Sequence, residues 1–273
     1  DVPPPTWCPE CRMRRRMMFR NERKLFRVKE ALTGREAVSL FPAEAGFPLY
    51  DDKQWYGQQV WDPMSYGQDF DPSRPFFAQL HELSQKVPRG RQDSINLVNS
   101  DYSANADGLK NCYLVFNANF NEDCAYGNGI DSCKNCYDNS QITKCDRCYN
   151  SFWLTNCYDT HFSSQCEESA SVWFSKNCRG CTNCFGCVNL RNKSYCFFNE
   201  QLTKEEYAKR VAELKLDTWG GLMIARQKAY EFWFSLPVKY LQGNFNTNVT
   251  GDFINHSKNV YKSYLVRAAE DSR

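Results

Sequence analysis

The chain lacks the signals that most quickly settle a function class. Its 34 Lys and Arg against 32 Asp and Glu leave a formal charge of +2 over 273 residues, so no overall field argues for nucleic acid or membrane as a partner. No apolar run reaches the ~18 residues that mark a membrane-spanning helix, so no membrane association is expected. The opening DVPPPTW carries neither Met nor a secretory signal and is read as the start of a trimmed chain. A second cysteine pair near Cys8 and Cys11 is also missing, because the next cysteine is Cys112.

What the chain has is cysteine, 15 residues of it. In a small secreted protein this would suggest a disulfide framework. Here the chain is large and the cysteines fall into columns, which suits a reducing cytoplasm. From Asn111 the sequence reads in rows of 21: NCYLVFNANFNEDCAYGNGID, SCKNCYDNSQITKCDRCYNSF, WLTNCYDTHFSSQCEESASVW and FSKNCRGCTNCFGCVNLRNKS. Cys124, Cys145, Cys166 and Cys187 share one column, and Asn135, Asn156 and Asn177 another. Self-similarity of this kind predicts a solenoid. A finer period of three runs inside it. Every cysteine from Cys112 to Cys196 occupies one phase of that period, and small or apolar residues such as Val115, Ala118, Ile130, Ile142, Leu154 and Val172 fill most of the rest. Neither the strand period of ~2 nor the helical ~3.6 fits. A turn-rich coil that points every third residue inward does. The asparagines are then a ladder at a turn, where Asn tolerates the left-handed backbone.

The expected fold class is therefore α+β: a short parallel β-solenoid of about 21 residues per coil with Cys and Asn ladders. An N-terminal zinc-knuckle and basic-helix module and a helical insertion complete it. The expected organisation is a knuckle and basic helix over 1–30, an aromatic-rich connector with one helix over 31–90, the cysteine-rich solenoid over 91–199, helices over 200–240, and a resumed coil over 241–273. Phe76, Leu80 and Leu83 mark the connector helix, ending before Pro88. Thr203-Lys204-Glu205-Glu206 is a capping box. A second helix runs from near Asp217 to Pro237, and the three-residue phase returns at Ile254, Ser257 and Val260.

Two groups of cysteines carry candidate chemistry. Cys8-Pro9-Glu10-Cys11 has the shape of a zinc knuckle, whose two thiolates grip one side of a tetrahedral ion. The other two ligands would come from upstream, from the solenoid, or from nowhere. Cys178, Cys181, Cys184 and Cys187 form CxxCxxCxxC, which admits three readings: a buried thiol ladder, a zinc or other soft-metal site, or an iron–sulfur cluster. Arg14, Arg15, Arg16, Arg20 and Arg23 lie in a basic, helical stretch from Arg12 to Lys29 and form a candidate phosphate-facing set for nucleic acid. Asp138 and Asp159, aligned in the 21-residue rows, are the acidic groups that a carbohydrate-active β-helix enzyme would need.

PPPTWCPECRMRRRMMFRNERKLFR, WDPMSYGQDFDPSRPFF, the NCY repeats and GCTNCFGCVNLRNKSYCFFN together resemble a family of cysteine-rich zinc-ribbon proteins abundant in bacteria of the candidate phyla radiation. The resemblance spans essentially the whole chain. It implies a further CxxC upstream that would complete a zinc site with Cys8 and Cys11, and it implies no activity. Family members carry extra cysteines over 28–54, where this chain has none. The reading that follows is a non-enzymatic, cytoplasmic, zinc-binding scaffold with a nucleic-acid or protein partner, or a homo-oligomer joined through an open solenoid end. A metal or redox protein and a β-helix enzyme stand as alternatives.

Overall fold

A computed structural model describes residues 6–8, 11, 14–15, 18, 21, 23–57 and 59–272. It is a mixed α/β structure whose sheets are mostly parallel, and it divides into two compact units, Asp1–Ala229 and Tyr230–Arg273.

In the first unit, β1 (Phe26–Lys29) and β2 (Glu36–Ser39) form an antiparallel hairpin. The stretch expected to be helical through Lys29 is therefore strand at its end, where Phe26 and Val28 favour a pleated, half-buried surface. Earlier in that stretch Cys11, Arg14 and Arg15 are helical, and the Met18 N–H donates to the Arg14 carbonyl at 3.1 Å. The short strands β3 (Leu49–Tyr50) and β4 (Arg89–Gly90) pair in parallel. Helix α1 (Asp52–Gly57) lies between them in sequence, as does the expected connector helix α2 (Phe76–Lys86).

From Ser94 to Phe197 one register governs the strands. The strands β5 (Ser94–Ile95), β6 (Ala104–Asp107), β7 (Tyr113–Asn119), β8 (Ala125–Asp131), β9 (Ser140–Thr143) and β10 (Phe152–Thr155) form one parallel sheet. Then β11 (Ala170–Trp173), β12 (Thr182–Phe185) and β13 (Ser194–Phe197) form another, closed by the antiparallel β14 (Glu200–Gln201). Each partner lies twelve residues on: Ala106 pairs with Ala118, Ile130 with Ile142, Ile142 with Leu154, Val172 with Cys184 and Cys184 with Cys196. Isolated bridges carry the same offset where no strand is present, as along Lys110, Glu122, Lys134, Asp146 and Tyr158.

The expected 21-residue coil is thus corrected to a twelve-residue layer. A parallel ladder pairs whatever lies one layer away, and four inward positions three residues apart use up twelve. Sequence similarity at 21 preserves the phase of three but moves each motif to a different side of the layer. So Cys124, Cys145, Cys166 and Cys187 are not stacked, and neither are Asn135, Asn156 and Asn177. The real amide ladders run at twelve, with Asn99 donating to Asn111 at 3.1 Å and Asn111 to Asp123 at 3.0 Å.

The period of three has a backbone cause. The residue before almost every inward position is left-handed, as at Asn111 (φ 53), Asn135 (φ 52), Asn156 (φ 52) and Asn177 (φ 53). Such φ values are cheapest for Asn, Asp and Gly, which accounts for the asparagine richness. Trp153 (φ 58) and Phe174 (φ 50) hold the same conformation at a cost of roughly 1 kcal/mol or more each.

The layers end in the helical segment. Thr203 caps α3 (Lys204–Ala212) through the expected capping box, its Oγ1 accepting from the Glu206 N–H at 3.2 Å. Helix α4 (Trp219–Ser235) follows. In the second unit β15 (Thr247–Asn255), β16 (Lys258–Arg267) and β17 (Glu270–Ser272) stack in parallel. Their register shifts between Val249 and Gly251, and Ile254, Ser257 and Val260 are buried as the returning phase implied.

Candidate functional site

Thirteen of the fifteen cysteines, from Cys112 to Cys196, are buried and free. They share one apolar cluster with Val115, Ile130, Ile142, Leu154 and Val172. The aliphatic members named here all lie in strands. At the turns between strands, inward positions hold mostly Cys, Ser, Thr or Asn, for a reason the hydrogen bonds make plain. A side chain there accepts the N–H of the inward residue one layer on: Ser100 from Cys112 at 2.9 Å, Asn121 from Cys133 at 2.8 Å, Ser175 from Cys187 at 3.0 Å. Thiols do the same, Cys112 Sγ accepting from the Cys124 N–H. They also donate, Cys112 Sγ to the Lys110 carbonyl at 3.4 Å and Cys136 Sγ to the Lys134 carbonyl at 3.2 Å. A buried amide left without such an acceptor costs about 1–3 kcal/mol. Cysteine is the side chain that both packs like a small hydrophobe and takes this hydrogen bond.

Thiol–thiol hydrogen bonds act in opposite senses at their two ends. They raise Cys124, Cys145, Cys178 and Cys184, and they lower Cys136 and Cys181. Burial raises each of these thiols, and it is the leading cause for Cys196. The inward positions from Ser94 to Leu190 include no Lys, Arg or His to stabilise a thiolate, and the next one, Lys193, exerts a lowering effect on Cys196 that burial outweighs. Burial by itself disfavours the thiolate at each of these cysteines.

Cys178, Cys181, Cys184 and Cys187 occupy the four sides of one layer, each at most 1% exposed. Among the described residues, no group of three or more His, Cys, Asp or Glu side chains is arranged to hold a metal ion. The four thiols instead bond to carbonyls and to one another. Their donor set is soft enough for zinc or an iron–sulfur cluster, and each sulfur bonds the carbonyl two residues back and a neighbouring thiol of the same string. Cys8 and Cys11 are exposed, and the Cys11 N–H donates to Cys8 Sγ at 3.4 Å. That turn fits one half of a zinc knuckle, with two of the four thiolates a structural site takes.

The predicted arginine set is only partly brought together. Arg16 and Arg20 lie outside the described residues. Arg14 and Arg15 are exposed, with the Arg15 guanidinium 5.3 Å from the centre of the Trp7 ring. Arg23 instead lines a groove of about 640 Å³ with Leu114, Tyr126, Asn128, Asp138 and Asn150. Asp138 and Asp159 fall on different sides of the layers and form no acid pair. Asp138 sits in the row of Tyr126 and Asn150, whereas Asp159 Oδ1 lies 2.9 Å from His161 Nε2.

Residue-type reasoning missed the feature that stands out most. The two outward positions following the inward residues Ser100, Cys112, Cys124, Cys136, Cys148, Thr160, Val172, Cys184 and Cys196 make one face, and that face is aromatic almost throughout. Its later layers carry His161, Phe162, Trp173, Phe174, Phe185, Phe197 and Phe198. There Phe162 and Phe174 stack at 4.6 Å and 8°, and Phe185 and Phe197 at 5.5 Å and 18°. Helices α3 and α4 cover this part, with Ala225 and Ala229, both fully buried, letting α4 approach the rings and Tyr207, Val211 and Leu222 packing beside them. Gly186 (φ 65) leaves the space that the Phe198 ring fills, 2.8 Å from where a Cβ would stand. The earlier layers carry Tyr102, Tyr113, Tyr126, Tyr137 and Tyr149, each 39–55% exposed. Rings of Tyr102, Tyr113 and Tyr126 meet edge-on, at 5.6 and 5.8 Å. Reading the sequence at a period of twelve would have aligned these rings; rows of 21 scatter them.

Comparison with protein-family models, curated proteins and solved structures gave no match.

Proposed function

We infer that the chain is a non-enzymatic binding scaffold. In this reading residues 92–199 form a β-solenoid of twelve-residue coils, the thiols hold that solenoid together from inside, and the uncovered tyrosine face is the working surface. One observation carries it: along a single face the rings change from Phe to Tyr where the covering helices stop. A ring that stays dry gains nothing from a hydroxyl, whereas a ring that meets water and an incoming partner does. The buried, hydrogen-bonded thiols support a structural interior in a reducing, cytoplasmic setting. Cys8 and Cys11 would supply two thiolates to a zinc ion shared with ligands outside the described residues, fixing the exposed Arg14 and Arg15 beside it.

The test is a thiol count and elemental analysis on protein purified without oxygen. Once zinc is chelated, two thiols, Cys8 and Cys11, should react in the native state and the thirteen buried ones only in denaturant; before chelation the protein should hold no more than about one zinc per chain. Iron with sulfide, or several zincs per chain, would sink the reading in favour of a metal or redox protein working through Cys178 to Cys187. A nucleic-acid partner is a second reading, favoured by the exposure of Arg14 and Arg15. It requires that charge reversal at both weaken salt-dependent RNA or DNA binding.

A further inference from the structure

The open half of the aromatic face has a chemistry narrow enough to name its partner. Its ten outward residues are Asp101, Tyr102, Tyr113, Leu114, Ala125, Tyr126, Tyr137, Asp138, Tyr149 and Asn150. They include two carboxylates and no Lys, Arg or His; among the described residues Arg23 shares a groove with Asp138, and Arg35 and Arg91 share another with Asp101 and Tyr102. A polyanion needs rows of cations to neutralise its charge, and the arginines beside this face sit with its own carboxylates, Arg23 with Asp138 and Arg35 and Arg91 with Asp101. A protein helix would be matched by the dry Phe and Leu chemistry found under α3 and α4, yet here every ring carries a hydroxyl. Successive layers repeat about every 4.8 Å, so the rings form a line that suits an extended polymer better than a compact small molecule. Edge-on contacts from Tyr102 to Tyr113 to Tyr126 leave ring faces open to one side. Beside them Asp138, Asn128 and Asn150 line the 640 Å³ groove with hydrogen-bonding groups.

We propose that this face binds an unbranched, neutral oligosaccharide chain, its sugar rings lying on the tyrosines and its hydroxyls reaching Asp138, Asn128 and Asn150. The inference rests on the binding-scaffold reading and adds the class of ligand. It asks for no catalytic step: Asp138 has no acidic partner on its face nearer than Asp101, three layers away in sequence register.

The experiment titrates the full chain with cellohexaose and with chitohexaose by calorimetry, with polyuridylate as the anionic comparison. At least one hexaose should bind, with an affinity unchanged between low and high salt, and polyuridylate should not compete for it. Tyr113→Ala and Tyr137→Ala should each weaken binding by about twofold to tenfold, and Tyr113→Phe by less, because the ring remains. Melting temperatures of the variants check that the layers are intact. Failure of both hexaoses to bind, or binding that the alanine variants leave unchanged, overturns the proposal. Competition by polyuridylate at the same tyrosines overturns it too. The thiol count on the same preparation separates the two levels of inference. Sealed thiols without hexaose binding would remove the saccharide and leave the scaffold, whereas a metal-loaded core would remove the scaffold itself.

Discussion

The two halves of the aromatic face share a backbone, a register and a left-handed residue in every layer, yet they do opposite things with their rings. Phe174 and Phe185 are at most 1% exposed beneath α4, while Tyr113 and Tyr137, in the same row of positions as Phe185, are 45% and 44% exposed. The layers supply a flat template whose outward residues are free to vary, because the fold is held by inward side chains and by backbone bonds between layers. What a given stretch of that template does is then decided by what covers it. Covered, it is a core. Uncovered, it is a surface built of large amphipathic rings.

The largest test of this contrast is truncation on the covered side. Phe174→Ala should cost about 3–5 kcal/mol, read as a lower urea midpoint, because the stack with Phe162 and the seat of α4 are lost together. A cost below about 1 kcal/mol would mean that α4 does not depend on the rings.

The second test lies at the entrance to the open half. Asp52 accepts N–H bonds from Gln92 at 3.1 Å and Asp93 at 3.0 Å, tying α1 to the first layer. Burial pushes its carboxyl up from the ordinary 3.8 to about 6, against the lowering effect of Arg91 and the two amides. A folded-state value above the unfolded one contributes stability that is complete below pH 3.8 and is lost as pH rises through about 6. At ~1.4 kcal/mol per unit, the swing is about 3 kcal/mol. The stability difference between the native chain and Asp52→Asn should therefore shift by about that amount in favour of the native chain from neutral pH to pH 3.8, beginning near pH 6 and half complete about midway between 3.8 and 6. A difference that stays flat across this window would show that Asp52 is not the group responsible.

Overfilling the covered half gives a smaller effect. Ala225→Leu puts three extra carbons where α4 meets the rings and should cost about 1–3 kcal/mol, with faster proteolysis of α4 as its local signature. The smallest effect sharpens the other side of the contrast: Tyr137→Phe should stay within about 0.5 kcal/mol of the native stability. A loss well beyond that would mean the hydroxyl serves the fold and not a partner.

The sequence by itself determined which residues point inward. A three-residue phase shared by every cysteine from Cys112 to Cys196 can be produced only by a backbone that turns at each third residue, and the asparagines announce the left-handed conformation that does it. The capping box at Thr203, the α2 helix and the return of the phase at Ile254 were legible for the same reason: each depends on near neighbours in the chain. Layer size was not. Twelve and twenty-one are both multiples of three, and only the parallel pairing of strands twelve residues apart selects between them. That choice decided which cysteines touch, why Asp138 and Asp159 do not, and that tyrosines 11–13 residues apart line up on one face. Which part of that face is left bare is a matter of where α3 and α4 settle, and no local pattern in the chain encodes that.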